Sequence, residues 1–312
     1  MKVVFIDVVH PILEERLSNS GFTCIDATQL SEAECCEVIT DADGIVIRSR
    51  FEMNEAFLQS ASQLKFIARS GAGMENIDVA YCADNNIQLF NAPEGNRNAV
   101  AEHALGMLLS LFNKLHSANS EVKSGRWDRE ANRGVELDGK TVGIIGFGNN
   151  GSAFAKKLRG FDVTVLAYDK YKTGFGDQYV QEVDMNEIFA KADVVSFHIP
   201  QTQETLFLAN DTFFSAFEKP IYLINLSRGK IVSTSSLVSA LKSERVLGVC
   251  LDVLEYEKAS FESFFEEDLP GNLKFLLASS NVILSPHVGG WTKESYLKLS
   301  DVLADKILEY YG

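Results

Sequence analysis

The sequence predicts an α/β protein of two Rossmann-like or flavodoxin-like parallel-sheet domains with an active-site cleft between them. Three observations predict it. Short apolar runs alternate with helical periods through the first hundred residues. A second series of the same kind opens near residue 141 with a glycine-rich turn. The chain has 312 residues, 46% of them hydrophobic, which is enough for two cores.

In the first series, Val3 to Ile6 reads as a strand and Ile12 to Asn19 as a short helix. Gly44 to Ile47 reads as a strand, Asn54 to Ala61 as a helix and Phe66 to Ala68 as a strand. A helix over Asn76 to Asn85 then precedes a strand over Ile87 to Phe90. The strand ends carry Arg48, Ser49, Arg50, Arg69 and the Gly71-Ala72-Gly73 turn toward one edge, where ligands of such sheets collect. Ala99 to Ser117 is apolar and free of proline, so one buried helix is expected to cross between the domains. The polar stretch Gly125 to Gly139, with Trp127, Arg129 and Arg133, is an exposed loop or a partner-contacting arm.

The second series begins with the most specific feature of the chain. The apolar run Val142 to Ile145 enters a turn in which Gly146, Gly148 and Gly151 have G-x-G-x-x-G spacing. A helical stretch, a second apolar run from Val163 to Ala167 and a terminal Asp169 follow. This is the order of a dinucleotide-binding β-α-β unit. Gly146 would permit the tight turn, Gly148 would let backbone approach a pyrophosphate, and Gly151 would let the helix pack closely on the sheet. The helix N-terminus would face the phosphates. Asp169 would accept hydrogen bonds from an adenosine ribose, and its charge favours NAD, although Lys170 and Lys172 leave room for NADP. Later strands are expected over Val194 to Ile199, Tyr222 to Asn225, Val246 to Leu251 and Val282 to Leu284, then a helix from Trp291 to about Leu308. The expected division is residues 1–98 plus 288–312 as a substrate-binding, catalytic domain and residues 99–287 as the NAD-binding Rossmann domain.

A formal net charge of −14 argues against a general polyanion-binding surface, so an anionic substrate needs arginines gathered locally. Five cysteines without a paired C-x-x-C arrangement suggest neither zinc nor a disulfide framework, and no compact set of acids and histidines suggests a metal. The N-terminal run is short and interrupted by Asp7, which fits a first strand rather than a signal peptide. No apolar run approaches membrane-spanning length, and a cytoplasmic location is expected.

Polar groups fall where the second series leaves its strands. Asn225 to Gly229 contains Arg228, Asp252 closes the next run with Glu257 just beyond, and Pro286 to Gly290 contains His287. Arg228 is suited to clamp a carboxylate through two hydrogen bonds. A histidine, here His287, is suited to exchange a proton with a hydroxyl or carbonyl oxygen. Each has a structural alternative: an ion pair for Arg228, a solvated acidic face for Glu257, and a structural role for His287. His103 beside Glu102 reads as packing and interdomain hydrogen bonding.

The chain resembles the D-isomer-specific 2-hydroxyacid dehydrogenase family over nearly its full length. The resemblance is carried by Arg69 to Asp78, Asn98 to Glu102, the glycine loop, His198 to Thr202, Asn225 to Gly229, Asp252 to Glu257 and Pro286 to Gly290. It implies catalytic roles for Arg228, Glu257 and His287: carboxylate binding, support of the imidazole, and proton exchange. Cofactor contacts would fall on Gly146, Phe147, Gly148, Asn149, Asn150, Gly151, Asp169, His198, Pro200 and Asp252. The backbone at Ala72 and Gly73 would meet the substrate carboxylate. The implied reaction is reversible hydride transfer between NAD(H) and a 2-oxo acid/D-2-hydroxy acid pair.

Within the family, Ile47 to Arg50 and Phe90 to Pro93 followed by Asn96 resemble the branch acting on 3-phosphoglycerate. Arg48, Ser49, Arg50 and Asn96 then become substrate contacts, with both arginines on the phosphate or, alternatively, in strand-end salt bridges. Other expectations are a homodimer through the nucleotide-binding domain and absence of the serine-sensing C-terminal domain, hence no serine feedback. Three departures bear on substrate-loop shape. Lys258 stands in place of a proline, 258–280 is a longer connection, and Ser233 stands where a V-D pair is common. The alternatives are a glyoxylate/hydroxypyruvate reductase and a nucleotide-responsive, corepressor-like binding protein.

Overall fold

The computed structural model describes residues 1–257 and 269–312. In chain order the elements are β1 (Lys2–Phe5), α1 (Ile12–Asn19), β2 (Thr23–Asp26), α2 (Glu32–Val38), β3 (Gly44–Ile47), α3 (Glu55–Leu58), β4 (Phe66–Arg69), α4 (Val79–Asp84), β5 (Gln88–Asn91) and α5 (Pro93–Phe112). They continue with α6 (Leu115–Lys123), β6 (Thr141–Ile145), α7 (Asn149–Lys157), β7 (Thr164–Tyr168), β8 (Gln181–Glu182), α8 (Met185–Lys191), β9 (Val194–Phe197) and α9 (Asp211–Ser215). The last are β10 (Ile221–Asn225), α10 (Thr234–Lys242), β11 (Val246–Leu251), α11 (Gly271–Ala278), β12 (Val282–Leu284) and α12 (Lys293–Tyr311). Two compact units result, and the chain passes from one to the other at Arg97/Asn98 and again at Gly290/Trp291.

The first unit holds a five-stranded parallel sheet in the order β2-β1-β3-β4-β5. Alternate strand residues face opposite layers, as the two-residue period requires. Val4, Ile6, Ile45, Ile47 and Ile67 pack with Ile39 and Phe57. Val3, Phe5, Val46 and Phe66 pack with Leu13 and Leu17 of α1 and with Leu299, Leu303 and Ile307 of α12. The strand order reverses direction between β1 and β3, which makes their carboxyl ends the switch point of this sheet.

The second unit holds a seven-stranded parallel sheet in the order β12-β11-β10-β9-β6-β7-β8. One face packs Val142, Ile144, Val194 and Ile224 under α5 and α7 through Ala104, Leu108, Phe154 and Ala155. The other packs Ile145, Val195, Phe197 and Leu223 under α8, α9 and α10 through Ile188, Phe213 and Leu237. Here the switch point lies between β6 and β9. No described helix is long and apolar enough to cross a membrane.

Several elements differ from the sequence expectation. The expected Ala99–Ser117 helix starts earlier, at Pro93, and stops at Phe112. Lys114 then takes a left-handed φ of 50°, and α6 begins afresh. The stop comes from elsewhere in the chain: Val135 donates its N–H to the Phe112 carbonyl, and a Cβ on Gly134 would lie 2.7 Å from that oxygen. The expected helix over Asn76 to Asn85 shortens to α4 because the Asp78 carboxylate caps it, accepting from the Tyr81 amide at 2.9 Å. Ser233, one of the departures from the family pattern, caps α10 by accepting from the Ser236 amide. Lys258 lies outside the described residues, and the latter part of 258–280 forms α11.

Candidate active site

The glycine turn sits at the second unit's switch point. Gly146 has φ +93°, and a Cβ there would lie 2.5 Å from the His198 carbonyl oxygen at the end of β9. A side chain at this position would be strained in its backbone and would collide with its neighbour. Gly151 begins the buried side of α7, where a Cβ would come within 2.0 Å of the Gly146 oxygen. Gly148 borders open space and serves as the N-cap of α7. The turn is thus closed on its protein side and open toward the helix N-terminus, where peptide dipoles favour an anion. Asn150 leaves its Oδ1 buried without a hydrogen-bond partner. These features fit a dinucleotide pyrophosphate.

Asp169 follows β7 and is tied into the turn before any ligand arrives. Its Oδ2 accepts from the Phe147 amide at 2.8 Å, and Oδ1 accepts from the amides of Tyr171 and Lys172 at 2.9 and 3.0 Å. The Phe147 ring stacks on Phe175, with centroids 4.5 Å apart. Lys170, the nearest cation in sequence, pairs with Glu204 at 2.7 Å, so its charge is already answered. His198 bonds Ser196 Oγ through Nε2 at 2.8 Å, and burial pushes its pKa down to about 3, so the ring is neutral. Pro200 is exposed and offers its carbonyl to Thr205 Oγ1.

The second unit also brings Glu257 and His287 together. His287 Nδ1 lies 2.8 Å from Glu257 Oε2, while Glu257 Oε1 accepts from the Leu254 amide at 2.5 Å. A carboxylate there makes Nδ1 the protonated donor and fixes the orientation of the ring. His287 is one of six non-glycine residues with positive φ among the described residues, at +54°. Its amide donates to the Asp252 and Ser285 carbonyls at 2.8 and 3.0 Å, which pins this unfavourable backbone conformation.

Asp252 anchors the whole loop. Only 2% exposed, it accepts from Ser285 Oγ at 2.6 Å and the Val288 amide at 2.9 Å through Oδ1, and from the Gly289 amide at 2.7 Å through Oδ2. His103 Nε2 lies 2.9 Å from Ser285 Oγ. Since Ser285 gives its one hydrogen to the carboxylate, His103 is the donor to Ser285. His103 therefore bonds within its own unit, through Ser285 to the Asp252 carboxylate. Arg228 is presented by a turn that Asn225 builds: Nδ2 donates to the Arg228 carbonyl at 2.9 Å and Oδ1 accepts from the Ser227 amide at 3.0 Å. Arg228 NH1 donates to the Ser227 carbonyl at 2.7 Å. Gly229 is required here, because a Cβ would lie 1.9 Å from the Leu254 oxygen.

In the first unit, Asp7 fills the amide nest at the switch point. Its Oδ2 accepts from the amides of Arg48, Ser49 and Arg50 at 3.0, 2.9 and 3.1 Å. Sequence reasoning missed Asp7; its place at the end of β1, opposite the end of β3, was the available signal. Arg48 stacks over Trp291, 4.0 Å from the ring centroid, and burial lowers its pKa. Arg48 and Arg50, both expected as phosphate contacts, are held differently. Arg50 turns inward and spends NH1 on the carbonyls of Ile6 and Ala27 and NH2 on Leu30, at 2.9, 3.3 and 2.5 Å. Buried carbonyls at the sheet edge need donors, and this guanidinium supplies them. Ala72 gives its carbonyl to Asn91 Nδ2 at 2.7 Å, and Asn96 has a buried Oδ1 without a partner. Gly73 follows Ala72 in the same turn, near the end of β4.

Comparison with known proteins gives the arrangement its family. Residues 105–289 match the model of the D-isomer specific 2-hydroxyacid dehydrogenase, NAD binding domain. The chain is 34% identical to a D-3-phosphoglycerate dehydrogenase of Archaeoglobus fulgidus over 99% of its own length and 57% of that protein. It is 31% identical to a hydroxypyruvate reductase of Thermotoga maritima, covering 92% of this chain and 91% of the relative. A D-lactate dehydrogenase from Aquifex aeolicus, solved with NAD and lactic acid, superimposes with a TM-score of 0.82 at 26% identity, covering 99% of this chain and 95% of that one. The chain spans about half the length of the phosphoglycerate dehydrogenases it matches. NAD is the cofactor of this nucleotide-binding unit. The chain belongs to the D-isomer specific 2-hydroxyacid dehydrogenase family.

Proposed function

We propose that this protein interconverts a D-2-hydroxy acid and its 2-oxo acid with NAD(H), and that the pair is 3-phosphoglycerate and 3-phosphohydroxypyruvate. The observation that carries the reaction type is the Glu257–His287 contact at 2.8 Å, set on a loop anchored by Asp252. Bound NADH supplies the hydride. Arg228 holds the substrate carboxylate by its guanidinium edge. His287 gives a proton from Nε2 to the carbonyl oxygen as charge develops there, and takes it back in the oxidative direction. Glu257 stabilises the protonated imidazole through Nδ1 and keeps the ring from turning. Asp252 accepts three hydrogen bonds and orders the loop that carries the imidazole.

The phosphorylated substrate is favoured by Arg48, at the switch point of the first unit's sheet, with Ser49 and Asn96 completing the substrate contacts. The diversion of Arg50 favours a second reading, reduction of hydroxypyruvate or glyoxylate, since one of the two expected phosphate arginines is occupied. NAD is preferred over NADP, because Asp169 repels an added ribose phosphate and Lys170 is held by Glu204. The active form is a homodimer through the nucleotide-binding unit. Helix α6 has no buried residue, and Leu115 and Val122 on it are 57% and 52% exposed, a face suited to a second copy. Light scattering on the purified protein tests that assembly, with a monomer at micromolar concentration opposing it.

The deciding experiment follows NADH oxidation with 3-phosphohydroxypyruvate, hydroxypyruvate, glyoxylate and pyruvate. The highest kcat/KM is expected for the phosphorylated acid, and His287→Ala should lose turnover while retaining NADH binding. Near-normal turnover of that variant would defeat the acid–base assignment. A protein that binds NADH and reduces none of the four acids would instead fit a nucleotide-responsive binding protein.

A further inference from the structure

Arg48 lies where a ligand of the first unit's sheet is expected, yet the nest of amides beside it is already filled by Asp7. Asp7 is itself saturated: Oδ1 accepts from the Val8 amide and Oδ2 from three further amides. Among the described residues Arg48 makes no ion pair, and its guanidinium has one hydrogen bond, to the Val8 carbonyl at 3.3 Å. The remaining organiser is Trp291. Its ring covers one face of the guanidinium at 4.0 Å, while Tyr296 stands beside the indole with centroids 6.4 Å apart. Stacking occupies a face of the guanidinium and leaves in-plane acceptors to its N–H edge, and it spares part of the rotamer entropy that a long side chain loses on binding.

Building on the proposed reaction, we propose that Trp291 is a specificity-determining residue, which fixes the plane of Arg48 so that its edge receives the phosphoryl end of the substrate. A phosphoryl group offers paired oxygens that match two parallel N–H donors. A neutral hydroxymethyl group offers no such match. Trp291 thereby discriminates between phosphorylated and unphosphorylated short acids without touching the reacting carbon.

The test combines kinetics with the protein's own fluorescence. Trp291→Leu should raise KM for 3-phosphohydroxypyruvate about tenfold, the scale of a desolvated cation–π contact. KM for hydroxypyruvate and kcat for both should stay within about twofold, and Trp291→Phe should recover most of the loss. Equal losses on both substrates, or no loss on either, would overturn the assignment. The chain contains two tryptophans. Titration of the unmodified protein with 3-phosphoglycerate should change its emission saturably, glycerate should not, and the change should vanish in Trp291→Phe. A protein that turns over neither acid would defeat the proposed reaction, and the titration would then judge the receptor alone. Emission indifferent to 3-phosphoglycerate would overturn it.

Discussion

Replacing Asp252 by Asn tests whether the His287 loop is held by charge. The carboxylate accepts from Ser285 Oγ, the Val288 amide and the Gly289 amide at 2.6, 2.9 and 2.7 Å. An amide keeps one oxygen. If that oxygen stays with Ser285 and Val288, the new NH2 faces the Gly289 N–H, donor against donor. A buried donor left without a partner costs about 1–3 kcal/mol, and the two retained bonds lose their charged acceptor. The sum is about 2–4 kcal/mol, on the order of 10 °C in Tm for a unit of this size. Gly289 gives the loop no room to shift inward, since even a Cβ there would meet Asp252 Oδ2 at 2.8 Å. The assay is thermal unfolding by circular dichroism, with amide exchange of residues 287–289 measured alongside. The expected result is a lower Tm with exchange accelerated selectively in this loop. A variant with unchanged Tm and unchanged exchange would refute the anchoring argument.

Other outcomes follow from the same geometry. Gly151→Ala should abolish measurable NADH binding, because its Cβ would sit 2.0 Å from the Gly146 oxygen; fluorescence titration checks this. Arg50→Met should destabilise the first unit by about 1–3 kcal/mol, since it removes the side-chain donors of the Ile6 and Leu30 carbonyls while Ala27 keeps the Leu30 amide, and KM should shift equally for phosphorylated and unphosphorylated acids. A loss confined to the phosphorylated acid would return Arg50 to the substrate. Glu257→Gln should lower kcat about a hundredfold with little change in NADH affinity, as steady-state and binding measurements would show. His198 has a folded pKa of about 3 against about 6.5 when unfolded, so the unfolded chain takes up the proton first as pH falls. Its stabilising contribution is complete above about pH 6.5 and is lost toward pH 3, at up to about 1.4 kcal/mol per unit. His198→Asn should flatten the dependence of stability on pH between 6 and 4 relative to the unmodified protein, as denaturant titrations at each pH would reveal.

What the sequence disclosed follows the range of the interactions. The glycine spacing, the strand runs and the acid ending β7 are local, and the structure arranges them as a nucleotide-binding β-α-β turn. Helix ends were less legible where their cause lies elsewhere in the chain. The stop at Phe112 depends on Val135 and Gly134, more than twenty positions later. The short outer elements β2 and α2 lack a sustained apolar period and passed unnoticed; β2 is exposed at both ends. In the candidate site, Arg228, Glu257 and His287 were visible as polar residues at strand ends. Asp7, Ser285 and Trp291 were not, because their roles arise from pairing with residues 41, 33 and 243 positions away. The carbonyl contacts of Arg50 were hidden for a similar reason. An arginine at a strand end reads alike whether its fork meets a ligand or three of its own carbonyls.

The left-handed backbone at His287 sets two selective pressures against each other at one codon. Glycine adopts φ +54° without cost, whereas a residue with a Cβ pays about 1–2 kcal/mol there. A library screened for thermal tolerance alone should therefore enrich glycine or asparagine at 287, and every such winner should be inert. Screened for turnover, the same library should return histidine and place its stabilising changes elsewhere. The position would report which property a population had been selected for.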